Sequence, residues 1–280
     1  TFPYDDNRFP WRSVTQANVT VHWYAGDDSF GAAALDAVGA GMLGMNEFIP
    51  ISLTESVNIY IYSNITDLQN TLTLGGEEWV GGHANPELGI VLVAIAPGAN
   101  QTIEMETKIP HELTHVMMYR SLGKTYAAQP VWLLEGAATM MELYPNPDYK
   151  NALDIASQSN SLISFDKLCA SFPADAGGAY LAYAQSQSFV TYIRETYGTS
   201  GLARLTKAYS DGFSCELGAN NALGTPLSQL DARWRESVLG QNVTGVAVRN
   251  LSPFILLMIL VLVVPMWSAI DMLRQRRKSA

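Results

Sequence analysis

Two of the four histidines in this 280-residue chain stand four positions apart, in His111-Glu112-Leu113-Thr114-His115. On an α-helix that spacing points both imidazoles the same way, one turn apart, so that two ring nitrogens converge on one point. Glu112, one residue on, turns toward the place where a water would complete the shell of a metal ion held by the pair. The motif therefore requires a helix through residues 111–115. It also requires a fold that brings a further ligand to that helix.

A metal with two histidine ligands and a reactive water needs a third protein ligand. Glu135 is the best placed, in Pro130-Val131-Trp132-Leu133-Leu134-Glu135-Gly136-Ala137-Ala138. Nineteen residues separate it from His115. That is enough for the first helix to end, a loop to turn back and a second helix to come alongside. Pro110 is expected to start the motif helix, Tyr119 to Leu122 to finish it, and Gly123 to cap it. Gln129-Pro130 would open the second helix. Glu135 sits among apolar neighbours, where an unpaired carboxylate is costly. Glu142 is a second acidic candidate, with a less suitable spacing.

The ordered set H-E-x-x-H, about nineteen residues, then W-L-x-E-G-x-A resembles the gluzincins of the peptidase MA clan, the group of thermolysin and aminopeptidase N. A third segment, Tyr183-Ala184-Gln185-Ser186-Gln187-Ser188-Phe189-Val190 running to Tyr197-Gly198, extends the likeness. The resemblance covers roughly residues 80 to 240. It implies one zinc ion per chain, held by His111, His115 and Glu135, with Glu112 as general base and a peptide or protein substrate. In aminopeptidase N relatives a tyrosine heading a comparable helix stabilises the oxyanion. That role carries over to Tyr183, with Tyr180 one turn earlier as its rival. Gly81-Gly82-His83-Ala84-Asn85 is similar to those relatives' G-x-M-E-N segment, whose Glu anchors the substrate's amino group. Ala84 stands in that Glu's place, so an endopeptidase is expected. Glu77, Glu78 or Glu87 could substitute if its loop folded inward, and His83 could line the cleft. Two other classes fit the same motif: an inactive binding or adhesion module, and a metallohydrolase acting on non-peptide substrates. The intact Glu112 argues against the first.

Composition bounds the rest. The chain is 48% hydrophobic and 15% charged, which supports a packed core. Its net charge of −9, with no basic patch, argues against nucleic acid as a partner. Residues 251–270 carry no charge, and twenty helical residues span about 30 Å, the thickness of a bilayer core. Arg274, Arg276, Arg277 and Lys278 follow, which puts the tail in the cytoplasm and the large domain outside. The chain begins at Thr1, and a secretory signal is expected to have preceded it. In an exported domain Cys169 and Cys215 could pair, or remain two buried thiols. Asn18, Asn64, Asn100, Asn242 and Asn250 head glycosylation sequons.

Alternation marks strands at 19–24 and 57–62, and an apolar run marks a third at 90–96. Helices are expected at 30–48 and 66–72, and after residue 128 at 130–143, 147–159, 179–197, 199–212 and 226–239. The fold class is α+β, a two-lobed zincin-like domain. A mixed β-sheet lobe, residues 1–127, ends with the motif helix, and an α-helical lobe spans 128–240. A linker (241–250), a transmembrane helix (251–270) and a basic tail (271–280) complete the layout.

Overall fold

The computed structural model describes residues 6–48, 55–72 and 81–241, together with 254, 257–259 and 261. Contacts group the chain into a unit ending at Trp234 and a second one from Arg235 onward. The first unit carries every residue named above for the site.

Its sheet has five strands in the order β1-β2-β3-β5-β4: β1 (Arg12–Gln16), β2 (Val19–Trp23), β3 (Val57–Tyr62), β4 (Gly82–Asn85) and β5 (Ile90–Ala94). The three central strands are parallel, and β1 and β4 run antiparallel at the two edges. The alternation read from the sequence sorts the faces. Val19, Val21 and Trp23 join Val57, Ile59 and Ile61 on one face, under α1 (Asp28–Phe48) and α3 (Gln101–Leu122). Tyr60, Tyr62 and Leu92 face the other way, covered by Phe9, Trp11, Tyr24 and Leu68 of α2 (Ile65–Gln69). Edge strands β1 and β4 were not expected. β1 is mostly exposed, and β4, Gly-His-Ala-Asn, lacks β-branched residues.

α3 begins at Gln101, so Pro110 lies inside it rather than at its start. A proline there cannot donate to the carbonyl four residues back. That carbonyl, of Glu106, instead accepts from Leu143 N at 2.9 Å. Proline also suits the tight crossing of α1, since a Cβ on Gly41 would lie 2.9 Å from Pro110 Cβ. The missing ladder bond is thus replaced by a tertiary one, which ties the motif helix to the chain beyond α4 (Val131–Met140).

After α3 a 3₁₀ turn, Gly123–Ala128, leads to α4, α5 (Asp148–Gln158), α6 (Ala176–Ser210), α7 (Cys215–Leu223) and α8 (Leu227–Ser237). Gly198, at φ 71° and ψ 176°, interrupts α6 where the sequence places a boundary. The short α7 was not expected. Its first residue, Cys215, is bonded to Cys169, which resolves the choice between thiols and a bridge. α4 packs on α6 so closely that a Cβ on Gly136 would lie 2.5 Å from Ser186 O. Trp132, Phe165, Phe189 and Trp234 fill the helical core.

The proposed membrane span lies almost wholly outside the described residues, as do the basic tail, Glu77 and Glu78. Among the described residues no helix is long and apolar enough to cross a membrane. Phe254, Leu257, Met258, Ile259 and Val261 of that stretch are helical and exposed.

Candidate active site

His111 and His115 project from α3 toward α4, where Glu135 stands between them. His111 Nε2 lies 3.4 Å and His115 Nε2 3.6 Å from Glu135 Oε2. One ligand atom from each of the three residues falls within 4.8 Å of the others. These contacts are within ion-pair range but longer than charge-assisted hydrogen bonds, which run about 2.7–2.9 Å. They also fit something else. Ligands about 2.0–2.1 Å from a tetrahedral zinc ion stand about 3.4 Å apart. The donor set, two imidazoles and a carboxylate, is also the type that zinc takes.

Each imidazole is held from behind. His111 Nδ1 is 2.9 Å from Glu142 Oε1, and His115 Nδ1 is 3.0 Å from Tyr126 Oη. Both rings therefore turn Nε2 toward Glu135. Carboxylate–histidine pairs of this kind orient metal ligands and raise their basicity. Glu142, whose spacing suits a ligand poorly, thus stands one shell out. Tyr126 was not singled out in the sequence, because only the path of the 3₁₀ turn brings it back to His115.

Gly82 of β4 lies against Glu112. A Cβ there would come within 3.0 Å of Glu112 Cγ and Cδ and collide with Oε1. The glycine lets the edge strand lie directly on this carboxylate. Together these elements enclose a cleft of about 490 Å³, lined by Gly81 to Ala84 on one side and by Tyr126, Glu135, Tyr149 and Tyr183 on the other. β5 is paired on both sides, by β3 and β4, and among the described residues β4 is the sheet edge beside the cleft.

Electrostatics follow from this crowding. Burial opposes the charge on His111, but Glu135 and Glu142 outweigh it and raise its pKa to about 10. Burial likewise works against the Glu135 carboxylate, yet His115 and His111 hold it well below the usual range. For Glu112 burial outweighs the attraction of His111 and His115 and pushes its pKa up. Burial, then Glu135, raises the Tyr183 phenol, which keeps it a protonated donor. The His83 pKa is lowered by partial desolvation of its ring at the cleft wall, although the residue keeps a solvent-facing side, and then by His115.

Tyr183 lines the cleft with its ring 6.0 Å from that of His111. Its rival Tyr180 instead donates to Asn146 Oδ1 at 3.2 Å and packs on Tyr149. Ala84 lies in β4 and packs on the main core, with no carboxylate at its position. Glu87 is exposed in the turn that follows.

No curated protein matches this chain. A family model described as the peptidase MA superfamily matches residues 37–240, from within α1 to the end of the helical part, well over half of the chain. With the two histidines and the glutamate assembled on neighbouring helices as that family's architecture implies, the chain belongs to the peptidase MA superfamily, as a gluzincin-type domain.

Proposed function

We propose that the chain is a membrane-anchored zinc metallopeptidase that cleaves polypeptides internally, outside the cytoplasm. The observation that carries the reading is the convergence of the His111, His115 and Glu135 ligand atoms, the two histidine nitrogens 3.4 and 3.6 Å from Glu135 Oε2, with Glu112 lining the same cleft. One zinc ion per chain, when bound there, supplies the Lewis acidity that makes water acidic near pH 7 and polarises a carbonyl.

The protein's own groups do the rest. Glu112 takes a proton from the attacking water and delivers it to the leaving amine. Its raised pKa brings it nearer the working range of a general base. The Tyr183 hydroxyl donates to the oxygen on which negative charge develops. The free edge of β4 aligns an extended substrate backbone across the cleft. Ala84 offers nothing to a charged α-amine, which favours internal bonds. Five apolar helical residues between Phe254 and Val261, each about half exposed or more, support a lipid-facing helix downstream.

The test is cleavage of a diverse peptide pool by the wild type and by Glu112→Ala. The wild type should cut internal bonds. The variant should retain zinc yet lose between about 10² and 10⁴ in rate, the usual contribution of a general base. Equal rates would discard the mechanism.

A further inference from the structure

The two histidines are supported unequally. Behind His111 stands a carboxylate, Glu142; behind His115 stands a phenol, Tyr126. The phenol is not a chance neighbour. Its 3₁₀ turn is fixed at both sides to α6: Thr125 Oγ1 donates to Ser210 Oγ at 2.9 Å, and buried Gln129 donates from Nε2 to Ser210 Oγ at 3.0 Å and to Thr206 O at 3.2 Å. Gly123, at φ 56°, makes the bend that sends the chain into this turn. The Tyr126 ring packs against Tyr119, one turn beyond His115 on α3.

We propose that Tyr126 is the positioning residue of His115: its hydroxyl oxygen accepts the Nδ1–H hydrogen and so fixes Nε2 as the nitrogen that faces the metal. This rests on the metallopeptidase reading above. A neutral acceptor has a further use at this spot. Glu112, Glu135 and Glu142 already surround the two rings, and a fourth carboxylate behind His115 would repel them. A phenol orients the ring without adding charge.

Tyr126→Phe tests the proposal, because it removes only the oxygen. Zinc affinity is measured by chelator competition on the full chain, with Tyr119→Phe as a control that removes the hydroxyl of the tyrosine packed against Tyr126. Tyr126→Phe should weaken zinc binding by about 10- to 100-fold, the usual effect of losing such an outer partner, with helix content unchanged and Tyr119→Phe like the wild type. In the zinc-loaded wild type the His115 Nδ1–H should give a slowly exchanging downfield proton resonance, absent from Tyr126→Phe. Unchanged affinity and a retained resonance would overturn the assignment, and so would equal losses in both variants or a loss of helix content. A wild-type chain that binds no zinc would instead remove the metallopeptidase reading, and this proposal with it.

Discussion

At the scale of single residues, the site is a cluster of opposite charges arranged around a gap. His111→Ala or His115→Ala should abolish stoichiometric zinc, measured by metal analysis of the purified chain, whereas Glu112→Ala should not. The pH dependence follows from the His111 pKa. In the metal-free protein it is raised to about 10, so at pH 7 the ring carries a proton. Metal entry must displace that proton, since only neutral imidazole ligates. Apparent zinc affinity should therefore rise with pH between 7 and about 10, with close to one proton released from His111 per ion at pH 7. Calorimetry in buffers of different ionisation enthalpy reads that number directly, and zero release would contradict the charge state. The His111, His115 and Glu135 cluster was legible in the sequence because one helical spacing joins two of its members. Tyr126 and Glu142 were not legible in their roles, because acceptors behind a ring are set by where two other segments pass, not by a spacing.

At the scale of elements, most helices and the central strands were legible, and α7 and the edge strands were not. β2, β3 and β5 announce themselves by apolar alternation or runs because they are buried. β4 does not, since Gly82 must be small for Glu112 and His83 and Asn85 are exposed. Yet β4 is the strand on which the endopeptidase reading depends. A peptide assayed with a free and with an acetylated N-terminus should be cut internally at similar rates in both forms. Release of single residues that requires the free amine would reverse that reading and imply an anchor other than Ala84. α3 was legible as a helix but not in its extent, because proline is common at a first turn and outweighed the weaker start signal of Asn100, which caps the helix without a side-chain hydrogen bond.

At the scale of the whole molecule, the α4–α6 contact decides the architecture. It sets Glu135 and Tyr183 on facing helices, and the Gly136 approach to Ser186 leaves no room for a side chain between them. The Cys169–Cys215 bridge closes the helical part, with Trp132 Nε1 3.4 Å from Cys215 Sγ, one turn before Glu135 on α4. Beyond this unit, topology is the open prediction. Protease added to intact cells should remove the N-terminal domain and leave a C-terminal epitope protected; an accessible epitope would reverse the proposed orientation. The sequence states this part through an uncharged run and the charge asymmetry that follows it, which are signals about insertion rather than packing.

Pro110 separates two properties that usually move together. In a helix interior proline is about 3 kcal/mol less favourable than alanine, so Pro110→Ala ought to stabilise α3 as a helix. The new N–H would also compete for the Glu106 carbonyl that now holds Leu143, and Leu143 adjoins Glu142, the support of His111. The variant should melt at the same or a higher temperature and bind zinc more weakly. Thermal melts and chelator titrations of one purified pair would show both effects. A loss of zinc affinity without a loss of melting temperature would tie this proline to the metal site through Leu143 and Glu142 rather than to the stability of α3.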